Sequence, residues 1–88
     1  MTDDNDLAAL AALATLDGWV ATASESNMGT VWHFTHPDHP RIRIDAFAMQ
    51  VRPYFHGRIM VDRRERSVVP NMGDLTAILA DPTVVPTE

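Results

Sequence analysis

Arginine side chains are the groups in this 88-residue chain best suited to binding chemistry, and all seven lie between residues 41 and 66. Each guanidinium presents a planar fork of donors that matches a carboxylate or a phosphate. The strands that we predict in this segment bring five of them to one side of a sheet. We call this predicted surface the arginine face, and it consists of Arg41, Arg43, Arg58, Arg64 and Arg66, with Tyr54 and Phe55 at the hairpin tip.

The arginine face has three interpretations. Its guanidinium groups could bind an acidic protein, or they could bind nucleic acid while the rings of Tyr54 and Phe55 stack on bases. It could also be a self-paired surface, because Asp45 and Asp62 have positions on the same face and can form cross-strand ion pairs. The net charge of −5 weighs against a general nucleic-acid binder, although residues 41–66 alone carry +4.

Histidines are the second candidate group. The chain has no cysteine, so a zinc site would need three or four imidazole or carboxylate ligands. His36, Asp38 and His39 could converge in one proline-bounded turn, with His56 joining from elsewhere in the chain. Turn residues chelate poorly without a rigid frame. We therefore expect exposed or capping side chains here, with no metal and no other cofactor.

Hydrolytic and phosphate-binding motifs have little support in the sequence. No Gly-x-Ser-x-Gly motif surrounds Ser24 or Ser26, and the four glycines are scattered singly rather than grouped in a phosphate-binding loop. The sequence therefore predicts a protein that is not an enzyme. A small-molecule or metal-binding domain remains an alternative, in which Trp19, Trp32 and Phe34 would line a cavity under the first helix.

The first predicted helix covers residues 4–16 and ends at Gly18, a residue suited to the left-handed conformation that stops a helix. No charged side chain lies between Leu7 and Leu16. We expect the leucines of this segment to cover the sheet. The alanine side, with Ala8, Ala11 and Ala12, then meets either the closing helix or a second copy of the chain in a homodimer.

Alternating patterns predict four strands, at residues 19–25, 30–36, 41–52 and 58–66. Val68 and Val69 then form either a last short strand or an extended connection before Pro70. Within the third strand the apolar residues change parity, which favours a β-bulge near Asp45–Ala46 or, alternatively, burial of both faces. A closing helix is expected at 72–80 after an Asn71 cap, followed by a flexible tail at 82–88. The predicted fold is α+β, a four-stranded antiparallel meander with both helices on one face in a two-layer sandwich. It forms a single domain over 1–88, ordered from about 4 to 81.

The predicted function follows from size, charge and missing motifs. The acidic N-terminus is unlike a secretory signal, and no apolar stretch is long enough for a membrane span, so a cytoplasmic location is expected. The absence of lysine with abundant alanine and arginine indicates a GC-rich coding sequence of a bacterium or phage. We predict a small non-enzymatic accessory module that acts through protein–protein contacts, with nucleic-acid binding as the alternative.

Overall fold

The computed structural model describes residues 4–27, 29–49 and 54–85. Within these residues the strands form one antiparallel sheet in the order β1-β2-β3-β4-β5. The predicted α+β class is therefore confirmed, with five strands where the sequence predicts four. The elements in chain order are α1 (Asp4–Thr15), β1 (Val20–Ser26), β2 (Gly29–His36), β3 (His39–Met49), β4 (Tyr54–Val61), β5 (Arg64–Val69), α2 (Met72–Ala80) and a 3₁₀ helix (Pro82–Val84).

The core lies between the two helices and one face of the sheet. Helix α1 contacts β1, β2, β3 and α2, so the helices form a second layer. Trp19 is 3% exposed, and its Nε1 donates a hydrogen bond of 2.8 Å to the carbonyl of Leu79 in α2. Trp19 and Phe34 belong to the packed core, and Trp32 packs against it. The largest fully buried side chains are Leu7, Phe34, Ile44, Val69 and Leu75.

Helix α1 ends as its sequence predicts. Gly18 has a φ of 94°, in the region that favours glycine. The Gly18 amide donates to the carbonyl of Thr15, and the Trp19 amide donates to the carbonyl of Ala14. These two bonds are those of a Schellman motif, which satisfies carbonyls that the end of the helix leaves unpaired.

The predicted leucine side of α1 is wrong for the last two leucines. Leu13 is 61% exposed and Leu16 is 81% exposed. Leucines spaced by three residues rotate by about 60° at each step around a helix, so the series leaves the buried side. Residues spaced by three and four stay on it instead. The side that faces the core consists of Leu7, Leu10, Ala11 and Ala14.

Strand β3 contains no bulge near Asp45–Ala46, so that prediction is wrong. Its pairing with β4 is continuous from Ile42 to Met49, and its pairing with β2 is continuous from Arg43 to Phe47. Residues with the parity of Ile42 face the core, while Asp45 is buried and Phe47 half-buried on the opposite face. Partial cover of both faces explains the change in apolar parity. The register shifts lie elsewhere, between Thr35 and His36 and between Ile59 and Met60.

The predicted strand 58–66 is divided by a tight turn. Asp62 and Arg63 have φ values of 53° and 70°, and the residues on either side of them, Val61 and Arg64, are paired. Two central residues with positive φ are the signature of a type I′ hairpin turn. The sequence signal for that turn is Asn-Gly or Asp-Gly, which Asp-Arg lacks. The turn produces the fifth strand.

The C-terminal segment is more ordered than the sequence predicts. The side chain of Asn71 accepts a hydrogen bond of 2.8 Å from the amide of Asp74, so the predicted cap of α2 is confirmed. A flexible tail from residue 82 is wrong for residues 82–85, because Pro82–Val84 form the 3₁₀ helix and Val85, which follows it, is buried. Residues 86–88 lie outside the described residues. Neither of the described α-helices is long and apolar enough to cross a membrane.

Candidate functional site

Asp45 is the one buried charged residue among the described residues, with 5% exposure. Its neighbours Ile44 and Ala46 face the core, so Asp45 lies on the sheet face opposite the helices, which we call the open face. His33 on β2 and Arg58 on β4 are its direct cross-strand partners. Side chains paired in this way have Cβ atoms about 5 Å apart, so the register itself brings ionisable groups to Asp45 from both sides.

Three side chains bind the Asp45 carboxylate. His33 Nδ1 lies 2.7 Å from Oδ1, and Arg58 Nε donates to Oδ2 at 3.0 Å. Arg43, two residues earlier on the same strand, donates from Nη2 to Oδ2 at 3.1 Å. Arg43 Nε also lies 3.1 Å from Oδ1, but it is buried and poorly aligned, and it has no hydrogen-bond partner. The single carboxylate thus pairs with two guanidinium groups at once.

The electrostatic balance at Asp45 favours its charged form. Burial alone would raise the pKa of Asp45, but hydrogen bonds from His33, Arg58 and Arg43 outweigh it and hold the pKa below its ordinary value of 3.8. An ionised carboxylate only accepts hydrogen bonds. His33 must therefore carry its proton on Nδ1 when it bonds to Asp45.

Ser24 completes a chain of hydrogen bonds across three strands. Its Oγ lies 3.0 Å from His33 Nε2. With Nδ1 protonated, Nε2 of a neutral His33 is the acceptor, so the Ser24 hydroxyl donates to it. We call the connected groups Ser24, His33 and Asp45 the relay. Its order of nucleophile, base and orienting carboxylate is that of serine-hydrolase triads, which are recognised by geometry rather than by position in the chain.

A concavity of about 200 Å³ adjoins the relay on the open face. Val31 and Phe47 supply apolar walls, and His56 and Arg58 supply polar groups. His33 and Asp45 line it as well, so two members of the relay border a space large enough for a small organic group. Ser24 is exposed and is paired with Val31, which places the hydroxyl beside this concavity.

The arginine face does not exist as one surface, so that prediction is wrong. Arg43 and Arg58 meet at Asp45, while Arg41 donates to Asp62 at 2.9 and 3.1 Å in a separate exposed pair. The turn at 62–63 and the following register shift break the parity of the predicted strand. Arg64 lies opposite Val61, at a core-face register position, and Arg66 falls at the register shift of β5.

The aromatic tip differs from the predicted stacking surface too. Tyr54 begins β4, and its side chain lies outside the described residues. Phe55 is half-buried and packs against the core. Its ring lies so near Gly57 that a methyl group on that glycine would be 3.3 Å from it. The Phe55 ring is thus occupied by packing inside the protein.

The turn that contains His36, Asp38 and His39 has a structural role, because both ring nitrogens of His36 form hydrogen bonds. The Asp38 amide donates to His36 Nδ1 at 3.1 Å, so Nδ1 is the acceptor. Nε2 then carries the proton and donates to the carbonyl of Asp17 at 2.9 Å. The rings of Trp19 and His39 contact His36 edge-on, at centroid distances of 5.1 and 5.2 Å. His36 thus fastens the β2–β3 turn to the end of α1.

A metal site would need partners that the fold keeps apart. His56 lies opposite Phe47 on the open face, well along the sheet from the turn that contains His36, Asp38 and His39. Over residues 4–27, 29–49 and 54–85, no three histidine or acidic side chains are grouped closely enough to hold a metal ion.

The side of α1 that faces away from the core is a second unusual surface. Between Leu7 and Leu16 it carries no charged side chain, and the residues named here are exposed. We call them the outer face of α1: Ala8, Ala9, Ala12 and Leu13, with Leu16 in the turn that follows the helix. The alanines were expected to be covered, and of the predicted alanine side only Ala11 reaches the core.

Sequence reasoning missed the relay for a reason of register. Extending the ladder from the His36–His39 pair would place His33 opposite Ile42. The register shift at Thr35 places it opposite Asp45 instead. Only a prediction of that shift could have joined Ser24, His33 and Asp45.

Comparison with known proteins adds no relative. No family model matches the chain, and neither a curated protein nor a solved structure matches it. The function must therefore follow from the chemistry of the residues described above.

Proposed function

We propose that the protein is a non-enzymatic binding module that acts through protein–protein contacts, and that the outer face of α1 is its docking surface. The observation that carries the proposal is the exposure of Leu13 and Leu16 in a stretch, Leu7 to Leu16, that contains no charged residue. Helices on the surface of a soluble domain normally turn charged and polar residues to water. An apolar side that faces water marks a site of interaction.

The occupant that best fits this surface is the same helix of a second copy. The chain carries a net charge of −5, so most faces would meet their own copy with repulsion. Residues 8–16 carry no charge, so this part of α1 adds no repulsion when it meets its own copy. A twofold axis makes any such contact self-complementary, because each copy presents the same patch.

Side-chain size supports a helix as the partner. Ala8 and Ala12 are one turn apart, and their small side chains let a second helix approach closely. Leu13 and Leu16 then supply the larger apolar groups beside this line of contact. Burial of roughly 500 Å² of apolar surface would contribute about 12 kcal/mol before the cost of association.

The arginines support a docking role less well than this helix. Arg41, Arg43 and Arg58 are already bonded to carboxylates of the same chain. The nucleic-acid alternative relied on a joint arginine face and on a free Phe55 ring, and neither is present in the described residues. A dimer formed through α1 would leave the open face uncovered, because the open face lies on the opposite side of the sheet.

The proposal is tested by measuring mass in solution. Light scattering coupled to gel filtration, from low to high micromolar concentration, should show a dimer for the wild type. The variant Leu13→Asp/Leu16→Asp should be a folded monomer, because charges would enter the contact. Val68→Asp/Val84→Asp is the matched control: it adds the same charge at two exposed apolar residues elsewhere, 54% and 60% exposed, and should stay dimeric.

Two results would overturn the proposal. A wild type that is monomeric at high micromolar concentration has no self-docking surface. A dimer that Leu13→Asp/Leu16→Asp leaves intact is formed by some other face. Circular dichroism of each variant separates loss of association from loss of fold.

A further inference from the structure

We propose that Ser24 is a nucleophile that accepts an acyl group from an activated carboxylic ester, with His33 as its general base and Asp45 as the residue that orients His33. The proposal rests on the relay and not on the docking surface of α1. It makes Ser24 a covalent modification site rather than the centre of an efficient enzyme.

The hydrogen bonds of the relay fix the direction of proton transfer. Asp45 holds the proton of His33 on Nδ1, so the lone pair of Nε2 faces the Ser24 hydroxyl at 3.0 Å. Arg43 and Arg58 fix the carboxylate in turn, which keeps the imidazole ring from rotating. Asp45 is thus anchored from three directions, and this rigidity is what separates the relay from a chance surface hydrogen bond.

The two reacting groups are also accessible. Ser24 is exposed, and the His33 side chain is 31% exposed. The neighbouring concavity offers Val31 and Phe47 to an apolar acyl chain or aryl leaving group. The ligand class is therefore an uncharged ester or thioester with an apolar group of a few carbon atoms.

The reaction balances without a further reagent. The Ser24 oxygen forms a bond to the acyl carbon while its proton passes to His33 Nε2. The bond from the acyl carbon to the leaving oxygen or sulfur then breaks, and that atom takes the proton from His33. The products are an acylated Ser24, a free alcohol or thiol, and a neutral His33 ready to activate water for slow hydrolysis of the new ester.

The backbone around Ser24 explains why the acyl donor must be an activated ester. The amides of paired strands point along the plane of the sheet, toward neighbouring strands, whereas the Ser24 side chain stands perpendicular to it. These amides therefore cannot donate hydrogen bonds to the oxyanion that forms above the open face when Ser24 attacks an acyl group. Arg43 and Arg58 each direct a donor at Asp45. Base assistance remains, which typically contributes about 100-fold to 10,000-fold in rate.

The experiment compares acylation of four forms of the 88-residue chain. Each is incubated with para-nitrophenyl acetate, and nitrophenol release and intact mass are followed together, with the modified residue located by peptide mass spectrometry. In the wild type we expect one acetyl group on Ser24. Ser24→Ala should abolish that label. His33→Gln, whose amide can still bond to Asp45, should slow it at least about 100-fold. Ser67→Ala removes an exposed serine on β5 as the matched control and should change nothing.

The remaining outcomes overturn the proposal. Nitrophenol release that survives in Ser24→Ala but is lost in His33→Gln identifies the imidazole as the nucleophile. A label on Ser24 that forms equally fast in His33→Gln shows that no base acts on it. No labelling above that of the chemically unfolded chain shows that the hydroxyl is not activated. Thermal unfolding of each variant confirms that the comparisons are made between folded proteins.

Discussion

His33 Nδ1 lies 2.7 Å from Asp45 Oδ1 across the β2–β3 ladder, and this contact joins an exposed hydroxyl to a buried carboxylate. On one side His33 bonds to Ser24, and on the other Asp45 holds Arg43 and Arg58. The same pair therefore links the chemistry of the open face to the stability of the sheet. Changes at Asp45 should be felt in both.

Asp45→Asn is expected to lower the free energy of unfolding by about 1–3 kcal/mol. The substitution removes the negative charge to which His33, Arg43 and Arg58 donate hydrogen bonds. It also replaces one accepting oxygen by an amide group that can only donate. Chemical denaturation of wild type and variant measures the difference. Asp62→Asn is the control: it makes the same chemical change in the exposed pair with Arg41, and no measurable loss is expected. Equal effects of the two substitutions would contradict the central role of Asp45.

Protonation at low pH should remove the contribution of Asp45 to the free energy of unfolding. Its pKa is lowered in the folded protein, so the unfolded chain takes up the proton first as the pH falls. The contribution of Asp45 to stability is fully present above its ordinary pKa of 3.8. It is lost as the pH falls below 3.8 and passes through the lower pKa of the folded protein. The difference in stability between wild type and Asp45→Asn should therefore shrink below pH 3.8. A difference that stays constant across that range would contradict the ion-pair assignment.

Arg63→Gly should stabilise the protein by about 0.5–1 kcal/mol. Arg63 has a φ of 70°, a conformation that costs a residue with a side chain about 1–2 kcal/mol and glycine very little. The change also creates Asp-Gly, a preferred pair in a type I′ turn. Thermal and urea unfolding report the gain. Arg66→Gly removes the same charge from within β5 and should instead destabilise, because glycine weakens a strand.

Gly18→Ala should destabilise the protein by more than about 1 kcal/mol. A methyl group there would lie 2.8 Å from His36 Nε2, and the φ of 94° is strained for alanine. In a His36→Ala background the steric part of the cost should disappear while the backbone strain remains. A double-mutant cycle measures that coupling. Strictly additive effects would show that the ring of His36 does not press on this position.

Local rules predicted the features that depend on neighbouring residues. Gly18 ends α1 and Asn71 caps α2 because each acts on amides within a few positions of itself. The antiparallel α+β class followed from alternating patterns and short connections. These are the parts of the fold in which sequence distance and spatial distance agree.

Features set by register were not predictable in the same way. Asp-Arg carries no turn signal, so the reversal at Asp62 and the start of the fifth strand at Arg64 were missed. The register shift between β2 and β3 decides whether His33 lies opposite Ile42 or Asp45. No residue near His33 in the sequence predicts that shift. The relay depends on that shift, and the loss of the single arginine face depends on the turn.

The bond from the Trp19 indole to the Leu79 carbonyl has a consequence for how the molecule is made. It spans 60 positions and closes the core at a point where the second-last element meets the start of the sheet. While the chain is being synthesised, the Trp19 indole can meet its acceptor only after Leu79 has left the ribosome. The hairpins of the sheet can therefore form before the bond that joins the start of the sheet to α2.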